Sequence, residues 1–262
     1  MTARYAAMFH RLPRGEGAFG AFVMLGDPDL ETSARILDEL VEAGADMLEV
    51  GIPFSDPVAD GPTIQAAAER ALRQGVTPPD SFRLLEAFRA RHPEVPVGIL
   101  TYANIVLAPG RDAFYRAAAE AGVDSVLVAD VPAIEAAPFV ASAIGAGIAP
   151  VMIAAPNTPR PTLERIARMG RGYTYCVART GVTGAERAME LDHSRLLGSL
   201  TELGAPPPVL GFGISTPDHV REALAAGAAG VISGSAIVKL VEAGDLSAVR
   251  SFVADMKAAT RP

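Results

Sequence analysis

A chain of 262 residues, half of them hydrophobic, is long enough for one large domain or two ordinary ones. Its net charge of −7 argues against a nucleic-acid or anionic-membrane surface. The single cysteine, Cys176, excludes an intrachain disulfide and a Cys-rich metal site, and fits a reducing compartment such as the cytoplasm. No apolar run reaches the ~18–20 residues of a membrane span, and the start of the chain lacks the apolar core of a signal peptide.

In chain order, Tyr5 to Phe9 read as a helical turn or two packing on the fold. Eight apolar, β-branched runs then follow as strands, near residues 19–24, 47–51, 97–102, 125–129, 149–153, 173–177, 209–212 and 230–233. Helical patterns fall between them, roughly over 29–43, 63–74 with 80–91, 111–121, 134–145, 161–169, 193–203, 216–226 and 246–258. Asp29, Asp80 and Thr216 are expected to open three of these helices; Thr216 is the best placed, because Pro217 and Asp218 follow it. One unit recurs, in VEAGADMLEVG, AEAGVDSVLVAD, GAGIAPVMIAA and LAAGAAGVISG: a helix end, a glycine suited to φ > 0, then a buried strand. Eight such alternations predict a (β/α)8 TIM barrel forming a single domain over residues 1–262. An extra helix precedes it and a short helix follows strand eight. The competing open doubly wound sheet carries a Gly-rich turn after its first strand, where this chain has Leu25-Gly26-Asp27-Pro28.

Strand residues alternate in direction, so parity assigns the barrel interior. It receives Phe22 and Met24; Met47, Glu49 and Gly51; Gly98, Leu100 and Tyr102; Leu127 and Ala129; Val151 and Ile153; Tyr173 and Tyr175; Phe212; and Ile232 and Gly234. The mouth at the C-terminal strand ends is therefore apolar and aromatic, with Glu49 as the one acid among these positions. It suits a flat apolar substrate, although most such residues also fill any barrel.

Several chemistries are removed by what is missing. A Schiff-base enzyme needs a lysine at a strand end, and Lys239 and Lys257 both fall on helices after the last strand. His10, His92, His193 and His219 are scattered without metal-ligand spacing and read as surface or cap residues. Cys176 has the parity of the helix layer and reads as packing. Carboxylate acid–base catalysis remains. Glu49, in an apolar mouth, is expected to have a raised pKa; the competing reading is a buried acid paired with arginine. Asp60 precedes Gly61-Pro62 and serves equally well as a helix cap or a catalyst. Asp56 and Asp130 read as turn formers. Gly211-Phe212-Gly213 and Ser233-Gly234-Ser235 end strands seven and eight, where backbone N–H groups and a helix start commonly hold phosphate; tight turns are the alternative. The segment 178–190, ARTGVTGAERAME, is long for such a loop and suits a mobile lid or an ordinary surface loop.

Together LEVGIPFSDPVADGPTIQ (48–65), VDSVLVADVP (123–132), RGYTY (171–175), GVTGAE (181–186), GFGIS (211–215) and GSAIVK (234–239) resemble the tryptophan synthase α subunit family, over about residues 18–258. The resemblance implies retro-aldol cleavage of indole-3-glycerol phosphate to indole and glyceraldehyde 3-phosphate. It implies no cofactor in this chain, and an α2β2 complex in which the β subunit carries pyridoxal phosphate. It makes Glu49 the acid–base group and Asp60 the acceptor of the indole N–H, with Tyr175 beside them and Thr183 positioning Asp60. Phe22, Leu100, Leu127, Ala129, Ile153, Phe212 and Ile232 would line the indole pocket. Gly184, Gly213, Gly234 and Ser235 would hold phosphate, and Pro53, Asp56, Pro57, Asn104 and Pro132 would face the β subunit. The competing functions are a phosphosugar isomerase on the same barrel, a free-standing indole-3-glycerol-phosphate lyase, and a non-catalytic regulatory α-like subunit.

Overall fold

The computed structural model describes residues 3–177 and 193–262. In chain order the elements are α1 (Ala3–Arg11), β1 (Ala18–Met24), α2 (Leu30–Glu42), β2 (Met47–Gly51), α3 (Pro62–Arg73), α4 (Pro78–Arg91), β3 (Val97–Thr101), α5 (Ala103–Leu107), α6 (Arg111–Glu120), β4 (Ser125–Val128), α7 (Ala137–Gly145), β5 (Ala149–Pro150), β6 (Met152–Ala154), α8 (Arg160–Met169), β7 (Thr174–Val177), α9 (His193–Glu202), β8 (Pro208–Gly211), α10 (Pro217–Ala225), β9 (Gly230–Ser233), α11 (Ser235–Glu242) and α12 (Leu246–Ala258). All pairings are parallel, in the order β5-β4-β3-β2-β1-β9-β8-β7-β6. The two ends of this order are the halves of one strand. It is interrupted at Val151; β5 pairs with β4 and β6 with β7, so the ring comes round to itself. This is the expected eight-stranded barrel, with its fifth strand divided between two neighbours.

Parity holds through the wall. Phe19, Ala21 and Val23 of β1 join the outer core against the helices, whereas Phe22 and Met24 belong to an inner cluster with Met47, Leu127, Tyr173, Tyr175 and Ile232. Cys176 lies in the outer layer, fully buried, and burial pushes its thiol up to about 12, as befits a packing residue. On the helix side, Ile36, Leu37 and Leu40 of α2 recur at helical spacing and are all buried. Gly44, Gly122, Gly147 and Gly227, the glycines of the repeating unit, all take positive φ just beyond helix ends. The N-terminal helix is longer than two turns need be. It closes the bottom of the barrel with Tyr5 and Met8, both 0% exposed.

Some local starts and stops differ from those expected of the sequence. Asp29 and Thr216 cap their helices, accepting from the N–H groups of Thr32 and His219. Asp80 does not: Thr77 is the cap of α4, and the Asp80 carboxylate reaches back to the Thr77 N–H at 2.9 Å as the other half of a capping box. β3 ends at Thr101, because Tyr102 opens the unforeseen helix α5. α7 starts at Ala137, three residues later than expected, the preceding stretch being a turn. His193 is 6% exposed, buried at the start of α9 rather than on the surface.

Candidate active site

Glu49 is the central residue of β2 and points inward, beside Phe22 of β1 and Gly98 of β3 in register. It is 2% exposed. The Tyr173 hydroxyl donates to its Oε1 at 2.7 Å. Burial raises the Glu49 pKa to about 7; the Tyr173 hydrogen bond opposes that rise and the nearby Asp60 charge adds to it. Among the described residues no cation is one of these influences, so none of them supports the buried ion-pair reading of Glu49. Beneath it, Tyr173 packs against Tyr5 with ring centroids 5.4 Å apart, and the Tyr5 hydroxyl pairs with Ser125 Oγ at 2.8 Å. Gly98 makes this cluster possible: a Cβ there would stand 2.6 Å from Ser125 Oγ and 3.0 Å from the Tyr5 hydroxyl.

Asp60 lies on the loop that leaves β2, two residues before α3. Gly61, not Asp60, is the N-cap of that helix, and no side chain caps it. The Asp60 backbone carbonyl is instead held by Gln65 Nε2 at 2.8 Å, which leaves its carboxyl to the barrel mouth. Asp60 is 8% exposed, and its carboxyl and the Tyr102 hydroxyl act on each other electrostatically. Burial raises the pKa of the carboxyl, and the Tyr102 hydroxyl opposes the rise. Two carboxyl groups thus share one apolar mouth and act on each other electrostatically.

Tyr175 completes this side of the mouth. It is buried, and both Glu49 and Asp60 act on its hydroxyl. Gly211 gives it room, since a Cβ there would lie 2.2 Å from the Tyr175 oxygen. Phe212 meets the Tyr175 ring edge-on at 6.1 Å and 88°. Phe212 also has φ 64, the one positive φ outside glycine among the described residues. A bulky side chain in that region costs energy, and such outliers gather where a site demands them. Phe22, Leu127 and Ile232 are buried in the inner cluster, while Leu100, Ala129, Ile153 and Phe212 are partly open towards the mouth.

The two glycine-rich loops come together beside this pocket. Ser233 Oγ donates to the Ile214 carbonyl at 2.6 Å, tying one loop to the other. Gly213 takes φ 79 on an exposed turn. Gly234 is the N-cap of α11, and Ser235 is its first residue. No side chain caps α11, so its leading N–H groups face outward, as an anion would require. Gly234 also lies close under Phe22, at 3.3 Å for a notional Cβ, which sets the phosphate candidates against the wall of the apolar pocket. Thr183, Gly184 and the proposed lid 178–190 lie outside the described residues.

Of the residues expected to face a partner, Asp56, Asn104 and Pro132 are exposed, Pro57 is half-buried, and Pro53 is buried. Sequence reasoning missed three large apolar side chains on the same loops: Val58, Leu107 and Ile134, which are 71%, 45% and 69% exposed. They follow β2, β3 and β4, three neighbouring strands. It missed Tyr102 and Tyr173 as polar partners too. Parity turned both rings inward but said nothing of where each hydroxyl would end. Asp130 does more than form a turn: its Oδ1 accepts from the Ala103 N–H at 2.7 Å, at the start of α5.

A parallel eightfold barrel, with two buried acids in its mouth and glycine-rich loops after its last two strands, defines a barrel of the enzyme class that works at the C-terminal strand ends. The family model for the tryptophan synthase alpha chain matches residues 9–261, and the chain belongs to that family. It is 54% identical to the tryptophan synthase alpha chain of Shewanella amazonensis, over 98% of this chain and 99% of the relative. It is equally 54% identical to that of Escherichia coli, with the same coverage. Among solved structures, Mycobacterium tuberculosis tryptophan synthase superposes with a TM-score of 0.91 at 30% identity, covering 100% of both chains. A protein from Aquifex aeolicus superposes at 0.90 with 34% identity, covering 99% of each.

Proposed function

We propose that Glu49 and Asp60 are the catalytic pair for this family's reaction, the retro-aldol cleavage of indole-3-glycerol phosphate to indole and D-glyceraldehyde 3-phosphate. The chain is a lyase of tryptophan biosynthesis and works with a β subunit. Glu49 delivers a proton to indole C3, which leaves the ring as an iminium-like electron sink. It then takes the proton of the side-chain hydroxyl at the carbon to be cleaved. The C–C bond breaks, the aldehyde forms, and the bonding pair restores the aromatic ring. Asp60, as the carboxylate, accepts the indole N–H and stabilises the positive charge while it exists. Proton transfer of this kind contributes typically ~10²–10⁴-fold, and the rest falls to positioning in the apolar pocket.

The observation that carries this reading is Glu49, buried among aromatic side chains with a pKa of about 7 and, among the described residues, no cation to fix its charge. Such a group holds and releases a proton near neutrality, so the reaction asks for no cofactor in this chain. Leu100, Leu127, Ile153 and Ile232 then hold the indole. Gly184, Gly213, Gly234 and Ser235 hold the phosphate through backbone N–H groups and a hydroxyl. The partner face comprises Asp56, Pro57, Asn104 and Pro132, extended by Val58, Leu107 and Ile134; Pro53 supports it from beneath. The place of work is the cytoplasm.

The test is indole release by the purified chain, with and without a β subunit, for wild type and Asp60→Asn. The variant is expected to lose on the order of 10²-fold in turnover while its unfolding free energy moves by less than about 1 kcal/mol. A variant that kept its turnover and lost mainly stability would return Asp60 to a structural role.

A further inference from the structure

Tyr102 stands where three barrel loops meet. It follows β3 and is the N-cap residue of α5, and it is 2% exposed. Its ring stacks on Phe54 of the loop after β2, with centroids 5.4 Å apart and planes 29° from parallel. Its hydroxyl accepts from the Ala59 N–H at 3.3 Å, immediately before Asp60, and the hydroxyl and the Asp60 carboxyl act on each other electrostatically. The next residue, Ala103, gives its N–H to Asp130 Oδ1 at 2.7 Å, on the loop after β4. One side chain therefore grips the Asp60 loop at its beginning and at its end, and its own backbone is tied to the loop beyond.

We infer that Tyr102 is a positioning residue for Asp60: its hydroxyl holds the end of the loop that aims the carboxylate into the mouth, and its ring fixes the beginning of that loop. The inference rests on the catalytic reading of Asp60 given above. The Tyr102 hydroxyl lowers the pKa of Asp60 against the rise due to burial. Removing the hydroxyl favours the protonated acid, which cannot accept the indole N–H as a carboxylate does. Phenylalanine keeps the ring and its stacking on Phe54, so the change separates the hydroxyl from the packing.

The test is the pH profile of kcat/KM for indole release, using the full chain with its β subunit, for wild type, Tyr102→Phe, Asp60→Asn and the double variant. Tyr102→Phe is expected to move the acid limb up by about one pH unit, with KM changing less than kcat. In the Asp60→Asn background it is expected to do nothing further, because the group it acts through is gone. If Asp60→Asn itself leaves turnover intact, the catalytic reading fails. If Asp60→Asn is inactive in turnover but Tyr102→Phe leaves the limb in place, or its effect persists undiminished in the double variant, the Tyr102 assignment alone is overturned. Fluorotyrosine at 102, a stronger donor with nearly the same shape, covers the case of a poorly folded Tyr102→Phe. It is expected to move the limb down, and an unmoved limb overturns the assignment.

Discussion

The conflict at Glu49 lies between folding and chemistry. A carboxyl 2% exposed with a pKa near 7 is carried neutral in mildly acidic solution and must ionise inside an apolar barrel as pH rises. Its folded pKa lies above that of the unfolded chain. The stability it brings is therefore full below about pH 4.5 and is lost progressively as pH rises to about 7. The cost above that is on the order of 3 kcal/mol, at about 1.4 kcal/mol per pH unit. Glu49→Gln, neutral at every pH, is accordingly expected to be more stable than wild type at pH 8 and to differ little at pH 4.5, as read by urea unfolding at both pH values. Equal shifts at the two would place the effect in packing rather than ionisation. Glu49 was legible from sequence because strand parity and the absence of an inward arginine both concern single positions. Its donor Tyr173 was not, because a hydroxyl 124 residues away becomes a partner only through barrel closure. Asp60 was half legible: spacing could not separate cap from catalyst, and the N-cap at Gly61 removes only the cap.

At the scale of elements, α3 and α11 bring the two halves of the site together. α3 follows Asp60, and α11 begins with the phosphate candidate Ser235. Ile64, Ala67 and Ala68 of α3 share the inner cluster with Val238 of α11. Arg70 of α3 clamps the arrangement. Its Nε and Nη2 donate to the two oxygens of Asp27 at 2.8 and 2.9 Å, and its Nη1 to Glu242 of α11 at 2.8 Å. Asp27 is 3% exposed, so removing its partner strands a buried charge, whereas the exposed Glu242 contact adds little. Arg70→Met is expected to cost about 3 kcal/mol in chemical denaturation, with an unchanged m-value. A loss below about 0.5 kcal/mol would show that the clamp is incidental. The long helices were legible through their apolar spacing and caps. α5 was not: its five residues, ANIVL, include two β-branched side chains and prolong the apolar strand before them.

The whole molecule is a wall with two differently built ends. The bottom is closed by α1, and Asp124 is locked there by Arg4 and Arg89 at 3.0 and 2.9 Å. The top keeps Val58, Leu107 and Ile134 exposed, the backbone strain at Phe212, and the buried Glu49 and Asp60. That division follows the working face of parallel barrels, where strand ends present chemistry and loops vary. The closed ring was legible from eight repeats of one unit, but not the break at Val151, which depends on how strands stagger in closing. On the proposed function, this barrel breaks a carbon–carbon bond with Glu49 as its acid and base. The most direct measurement is the turnover of indole-3-glycerol phosphate by wild type and Glu49→Gln, each saturated with β subunit at pH 7. Glu49→Gln is expected to lose at least ~10²-fold in kcat with KM nearly unchanged. Turnover within a few-fold of wild type would contradict that role of Glu49.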